Sequence, residues 1–215
     1  MKNLPAFTIR NEEPADYRAV EELTREAFWN LYVPGADEHY LAHVLRTCDD
    51  FLPALDFVAV AEGQIIGHIM FSRSYILGEG GARHDVVTFG PVSVRPDCQG
   101  RGVGGALIRH AIGVAADLGH RAILIHGDPA YYGRFGFVPA KTYGITNPEG
   151  RFPAAHQALE LFDGALRAVS GMAFESDTFH MDAAAAAAFD RGFPPKEKCV
   201  TPSQARFLEI SGRYL

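Results

Sequence analysis

Three closely spaced glycines stand just before the strongest helical pattern of the chain, where they could bind an anion. They belong to the segment Gln99-Gly100-Arg101-Gly102-Val103-Gly104. Because glycine carries no Cβ, several adjacent backbone N–H groups stay accessible there, and the positive end of the helix dipole adds to their attraction. The segment therefore predicts a phosphate-type anion site, with a pyrophosphate as the expected occupant.

The same glycines are compatible with two other interpretations. One is a turn that only connects a strand to a helix. The other is the dinucleotide pattern GxGxxG, which Gly100, Gly102 and Gly105 satisfy, with Asp128 about twenty residues further on. Spacing alone does not separate these readings, but the antiparallel pattern upstream disfavours a dinucleotide fold. A Walker P-loop is excluded because no Gly-Lys-Ser/Thr follows.

Histidine and cysteine form no metal-binding pattern in this sequence. The histidines show neither HxH nor HExxH spacing, and Cys48, Cys98 and Cys199 lie far apart without a CxxC pair. Although Cys98 adjoins the glycine turn, we interpret it as an incidental small residue. We therefore expect no metal site and no disulfide framework, and we expect a reducing cytoplasm as the location.

The elements that must position the turn alternate between strand and helix patterns in the order βα(α)βββαβα. Helices are expected from near residue 14 and over residues 36–48, 103–118, 130–135 and 183–188. Strands are expected over residues 6–10, 57–61, 65–71, 86–94, 122–125, 137–139, 158–162 and 171–175. Residues 196–215 are expected to form a helical tail.

A glycine-proline pair interrupts the strand that precedes the turn. Gly90-Pro91 stands inside the apolar run from residue 86 to residue 94. Because proline cannot donate a hydrogen bond to a sheet ladder, this pair predicts a bulge or a splayed strand.

Composition describes an ordinary globular protein. Of 215 residues, 47% are hydrophobic and 21% are charged, and the formal net charge is -6. We expect a main domain over residues 1–163 and an extension over residues 164–215 that packs on it. The negative charge and the absence of a dense Lys/Arg run disfavour nucleic acid as a partner. No run is long enough for a membrane span, and the first residues do not predict a signal peptide.

At this point the sequence resembles the GNAT acetyltransferase superfamily. The family signature, Arg/Gln-x-x-Gly-x-Gly/Ala after a strand, is matched by Gln99, Gly102 and Gly104. Upstream, Val92-Ser93-Val94-Arg95-Pro96 looks like the family's splayed fourth strand. Downstream, residues 126–137 look like its strand, short helix and closing Gly-Phe. The combination is similar to a bacterial subgroup of predicted N-acetyltransferases.

The resemblance implies a fold, a cosubstrate and the residues that bind it. The fold would be the α/β (α+β) GNAT acyl-CoA N-acyltransferase fold, a mixed central sheet splayed at the fourth strand with helices on both faces. The cosubstrate would be acetyl-CoA, whose pantetheine arm pairs with the main chain of Val92 and Val94. Its pyrophosphate would be cradled by Gln99, Gly100, Arg101, Gly102, Val103 and Gly104.

Acetyl transfer to an amine needs a proton for the departing thiolate, and Tyr132 is the candidate donor. It falls where many family members place a tyrosine, and a phenol stays protonated at neutral pH. The alternative is a packing role for Tyr132. Many members carry a glutamate on the fourth strand, but residues 86–94 contain no glutamate, so the general base is not assigned. The candidates for this base are His126, Asp128 and Glu175, and a purely structural role is the alternative for each.

The expected acceptor is a small-molecule or peptide amine. Its pocket is expected from residues 29–40 and the later strands, and a homodimer is left open. The candidate wall and ammonium-binding residues are Trp29, Tyr32, Tyr40, Phe174, Asp37, Glu38 and Glu175. Two other functions remain as alternatives, a non-catalytic acyl-CoA-binding regulatory module and a dinucleotide-dependent oxidoreductase.

Overall fold

The computed structural model describes residues 6–215 of the chain. Residues 1–5 lie outside the description, and with them most of the segment in which a signal peptide was not expected. The first five residues of the predicted domain 1–163 lie outside it as well.

Over residues 6–215 the chain forms nine strands and six α-helices. The strands are β1 (Thr8–Asn11), β2 (Phe57–Ala61), β3 (Gln64–Leu77), β4 (Arg83–Val94), β5 (Ala122–His126), β6 (Val138–Pro139), β7 (Ile145–Thr146), β8 (His156–Glu160) and β9 (Gly171–Phe174). The helices are α1 (Tyr17–Phe28), α2 (Glu38–Leu45), α3 (Val103–Asp117), α4 (Pro129–Tyr132), α5 (Ala183–Asp190) and α6 (Pro202–Ser211). The sequence predicted these elements except β7, although β3 runs further than expected and only α6 of the tail is helical.

The strands form one mixed sheet, as the family resemblance implied. Its order is β1-β2-β3-β4-β5-β8-β6, and β9 pairs with both β3 and β7. Neighbours are antiparallel except β4 with β5 and β7 with β9. The parallel pair β4–β5 is joined by α3, which brings the glycine turn to the carboxyl end of β4.

The sheet splits where β4 leaves β5. On one side, the β3–β4 register shifts between Ile69 and Phe71, so Gly90 and Pro91 together oppose one β3 residue. On the other side, β4 pairs with β5 only at Val87 and Thr88. The bulge and the splayed strand predicted from the glycine-proline pair are therefore both present.

Alternation along β4 and β5 assigns their side chains to two faces. Val87 and Ile123 pack in one core cluster with Leu107 of α3, while Val86 and Leu124 pack in a second cluster on the opposite face. Helix α3 approaches the sheet closely at Gly67, where a Cβ would lie 2.9 Å from the Leu107 side chain. This close contact fixes the start of α3 beside the end of β4.

Helix α1 covers the other face and carries the C-terminal segment. The Thr24 and Ser93 hydroxyls join α1 to β4 at 3.0 Å. Buried Arg25 forms an ion pair with Asp190 at the end of α5, and Phe207 of α6 stacks on Tyr32 at 4.5 Å. Helices therefore lie on both faces of the sheet. No helix within residues 6–215 has the length and apolar character needed to cross a membrane.

Candidate active site

The glycine turn leaves the amino end of α3 open. Gly100 and Gly102 have φ values of +70° and +91°, which glycine adopts at little cost, and Gly102 is the residue that precedes the helix. The first helical hydrogen bond runs from Ala106 N to Gly102 O at 2.9 Å. The N–H groups of the three residues before Ala106 therefore have no partner inside the helix, and they point out of its amino end.

A groove of about 550 Å³ lies in front of this helix end. We call it the α3 groove. The predicted cosubstrate residues that line it are Val92, Val94, Gln99, Gly100, Gly102, Val103 and Gly104. Arg101 is exposed beside the groove rather than lining it. Buried Cys98 contributes to the wall and packs in the core cluster below.

The free edge of β4 forms one wall of the α3 groove. Arg95 N donates to Ile66 O at 3.0 Å, so in this antiparallel ladder Ser93 is the next hydrogen-bonded position. The main-chain groups of Val92 and Val94 consequently point away from β3 and toward the groove. The side chain of Gln99 donates to Val94 O at 3.0 Å and ties the turn to the strand.

Two arginines on the groove wall were missed in the sequence. Arg109 lies one helical turn after Gly105 and donates to its carbonyl at 3.2 Å, and Arg134 donates to Tyr131 O at 3.0 Å. Both guanidinium groups are exposed cations beside the open helix end. The i, i+4 spacing of Arg109 from Gly105 on a predicted helix was the available signal.

Tyr132 lies on α4, just beyond the split. Asp128 begins this helix by accepting a hydrogen bond from Ala130 N at 2.9 Å. The Tyr132 ring lies 5.9 Å from the Phe89 ring and 5.8 Å from the Phe137 ring, and it packs against Gly127. Burial raises the pKa of Tyr132 above its ordinary value, so the phenol stays protonated at neutral pH. Its neighbour Tyr131, not Tyr132, lines the α3 groove.

A second cavity of about 380 Å³ opens beside the split. We call it the histidine cavity, and its walls include Thr88, Leu124, His126, His156 and Glu175. The rings of His126 and His156 stack at 4.7 Å with an angle of 5° between their planes. Burial lowers the pKa of His126 and, with His126 beside it, lowers the pKa of His156 to about 3. Both rings are therefore neutral at pH 7.

The residues expected to form the acceptor pocket do not all meet. Phe174 and Glu175 line the histidine cavity, as do His126 and His156. Tyr32 lines the α3 groove instead, and burial raises the pKa of its hydroxyl. Trp29 donates to Glu197 O at 2.8 Å under the C-terminal segment, and Tyr40 packs on Phe189. Among the remaining candidates, Asp37 begins α2 and the pKa of half-buried Glu38 is raised by burial to about 7.

A buried polar network, which lies outside both the α3 groove and the histidine cavity, was also not predicted from the sequence. Ligand atoms of Glu12, Asp56 and His68 lie within 4.8 Å of one another. Arg46 donates to Glu12 at 2.7 and 2.9 Å, and His68 Nε2 lies 2.9 Å from Asp56. Burial raises the pKa of Glu12 to about 7 and that of Asp56 to about 6. Glu12 follows β1, Asp56 precedes β2, His68 lies within β3 and Arg46 directly follows α2, and these groups compensate one another's charge.

Comparison with known proteins agrees with this geometry. Residues 17–137 match the Acetyltransferase (GNAT) family. The Escherichia coli K12 protein named uncharacterized N-acetyltransferase YhbS is 33% identical over 167 residues, which cover 76% of this chain and 93% of YhbS. The E. coli protein named uncharacterized N-acetyltransferase YjhQ is 32% identical over 155 residues, covering 71% of this chain and 81% of YjhQ.

Two solved structures extend the likeness to the fold. E. coli YhbS in complex with CoA has a TM-score of 0.72 at 29% identity, covering 84% of this chain and 96% of that one. A GNAT family acetyltransferase from Brucella melitensis in complex with acetyl-CoA has a TM-score of 0.65 at 30% identity, covering 82% and 99%. The expected GNAT fold is confirmed. Because the family match spans more than half of the chain and relatives above 30% identity match along most of its length, this protein belongs to the Acetyltransferase (GNAT) family.

Proposed function

We propose that this protein transfers the acetyl group of acetyl-CoA to a primary amine by direct attack in a ternary complex. One observation carries the proposal: the open amino end of α3 and the free edge of β4 face the same groove at the split in the sheet. An anionic cosubstrate with a long amide-bearing arm fits both features. The bound CoA and acetyl-CoA of the related structures support the same assignment.

The α3 groove would bind the cosubstrate mainly through the main chain. The N–H groups of residues 100–105 would hold the pyrophosphate, and a Cβ at Gly100 or Gly102 would meet only open space, where phosphate oxygens would lie. Arg109 and Arg134 would add charge at the groove wall. The outward main-chain groups of Val92 and Val94 would pair with the amides of the pantetheine arm.

The chemistry would take place where β4 and β5 separate. The amine nitrogen attacks the thioester carbonyl, a C–N bond forms and the C–S bond breaks. Tyr132 gives its proton to the departing thiolate, and His126 takes the proton that the attacking nitrogen loses. Its lowered pKa keeps the His126 ring neutral at pH 7 and ready to accept a proton. Exchange with water restores both residues.

The three cysteines within the described chain are free thiols, which supports the cytoplasm as the place of activity. The absence of a glutamate from residues 86–94 is the observation that favours the non-catalytic module. The family match replaces the dinucleotide interpretation of the glycine turn.

A binding and turnover experiment tests the proposal. CoA and acetyl-CoA should raise the melting temperature, whereas NAD(P) should not, because ligand that binds only the folded state stabilises it. Release of thiol from acetyl-CoA should then depend on an added primary amine. Stabilisation by CoA without thiol release from any amine would contradict catalysis and support a binding module.

A further inference from the structure

The histidine cavity lies where an acceptor would reach a thioester held at the split. The last residue pair between β4 and β5 is Thr88 with Leu124, and both residues line the cavity. The Leu124 side chain lies on the face opposite α3. A molecule in the cavity would therefore approach the split from the face of the sheet opposite α3.

The described residues that line this cavity carry acidic groups and no lysine or arginine. The carboxylates are Glu149, Glu175 and Asp177. Three histidines, His126, His156 and His180, also line the cavity, and burial lowers the pKa of the first two, so those two rings are neutral at pH 7. A cavity with this balance attracts cations and repels acceptors that carry a carboxylate.

The acidic groups occupy two levels of the cavity. Glu175 is half-buried and close enough to His126 to influence its pKa, whereas Glu149 and Asp177 are exposed at the rim. Phe174 also lines the cavity, and its ring is held by stacking on Tyr75 at 5.1 Å and 15°. The lining therefore combines polar, aromatic and exposed acidic groups.

A buried ring nitrogen of a residue that lines the cavity has no hydrogen-bond partner within residues 6–215. His156 lines the cavity with 2% of its surface exposed, and its Nδ1 makes no hydrogen bond with any described residue. Buried polar atoms are normally hydrogen-bonded, so an unpaired nitrogen beside an accessible cavity points to a polar ligand. The hydroxyls of Ser74 and Thr88, 2.9 Å apart, supply further polar lining.

We propose that the histidine cavity selects a small aliphatic amine that carries a second cationic group a few carbons away. The inference rests on the proposed acetyl transfer and specifies its acceptor. The reacting amine lies beside His126, its aliphatic chain runs along Phe174, and the second cation lies between Glu149 and Asp177. A cavity of about 380 Å³ accommodates such a molecule, since pockets for small ligands start near this size.

Two amines of equal length test the selection directly. 1,4-Diaminobutane and 1-aminopentane have the same shape, but only the first has a cationic second end. We expect kcat/KM for the diamine to be at least 10-fold higher, mostly through a lower KM. The zwitterion 5-aminopentanoate should be the poorest of the three. Equal kcat/KM for the diamine and the monoamine would overturn the inference.

Variants at the rim locate the effect. Glu149→Gln combined with Asp177→Asn should reduce the diamine preference 5-fold or more while 1-aminopentane is affected little. Glu79→Gln combined with Asp163→Asn is the matched control, because it removes two exposed carboxylates outside the cavity. The inference fails if the rim variant and the control show the same preference.

Calorimetric titration separates this inference from the proposed function. The diamine and 1-aminopentane are each titrated into the CoA-saturated protein. Tighter binding of the diamine, lost in the rim variant, supports the assignment of the cavity even if no amine releases thiol, a result that would contradict only the catalytic proposal. Equal binding of the two amines, or no binding of either, overturns the inference.

Discussion

The α3 groove and the histidine cavity are built in opposite ways. The main-chain groups of the groove come from one short stretch, residues 99–105, and from β4, and Arg109 and Arg134 add charge at its wall. The cavity takes its polar groups from side chains on β3, β4, β5 and β8 and from the segments that follow β7 and β9. Main-chain recognition depends on backbone conformation, whereas side-chain recognition depends on which residues the fold brings together. The proposed cosubstrate site and the proposed acceptor site can therefore be altered separately.

The largest effect should come from breaking the backbone of the groove. Gly102→Val places a β-branched residue at φ +91°, which costs roughly 1–2 kcal/mol even before branching is considered. The turn should shift and lose hydrogen bonds to the pyrophosphate, so we expect CoA affinity to fall at least about 100-fold. Isothermal titration with CoA measures the loss.

Gly113→Val is the matched control for that variant. Gly113 is an exposed residue of the same helix, and a Cβ there meets nothing within 4 Å. Because valine is a better helix former than glycine, the control should fold normally and bind CoA like the wild type. If Gly102→Val also bound CoA normally, main-chain recognition at the turn would be wrong.

The same contrast explains what the sequence could predict. The turn is contiguous, so its glycines and the helical spacing after them predicted the open amino end of α3, while anion binding there stays a prediction. The bulge was predictable because proline at position 91 cannot complete a sheet ladder. The position of Arg134 in the wall of the α3 groove was not predictable from the sequence, and neither was the histidine cavity, since both depend on contacts between distant segments. His156 and Glu175, for example, meet only because β8 pairs with β5 and β9 pairs with β3.

Particular failures have the same origin. Tyr40 and Trp29 were expected in the acceptor pocket, but Phe189 and Glu197 of the C-terminal segment engage them. No local pattern in residues 190–201 indicates that this segment returns to α1. Residues 164–215, which were predicted to be an extension, also contribute β9 to the sheet, a pairing that a strand pattern alone does not specify.

The next largest effect should arise at Tyr132, which lies just beyond the split and lines neither the α3 groove nor the histidine cavity. Tyr132→Phe removes the proposed proton donor and keeps the ring contacts with Phe89 and Phe137. We expect kcat to fall about 10- to 1000-fold with CoA affinity nearly unchanged, because the proton is needed only as the thiolate departs. Steady-state thiol release and CoA titration measure the two quantities.

Tyr17→Phe is the control for loss of a tyrosine hydroxyl. Tyr17 lies at the start of α1, where its ring contacts Arg46. It lines neither the α3 groove nor the histidine cavity. Unchanged turnover in Tyr132→Phe would refute the assigned role and leave Tyr132 as a residue that packs on Phe89 and Phe137.

The smallest of the three effects should be confined to the cavity and should depend on pH. Burial holds the pKa of His126 below its ordinary value of 6.5, although Glu175 opposes the shift. A base must be unprotonated to act, so kcat should be constant near pH 7 and should fall as the pH drops through that lowered pKa. His126→Gln should reduce kcat by about 10- to 100-fold and remove this acid limb, while CoA affinity stays normal.

Glu175→Gln sharpens the assignment because it changes the pKa without removing the base. Loss of the carboxylate takes away the contribution that raises the pKa of His126, so the acid limb should move to lower pH. A pH profile of kcat at saturating amine measures the midpoint of the acid limb in the wild type and in Glu175→Gln, and it shows whether the limb is lost in His126→Gln. An acid limb that persists in His126→Gln would show that another group titrates, and the proton acceptor would then lie outside the stacked histidine pair.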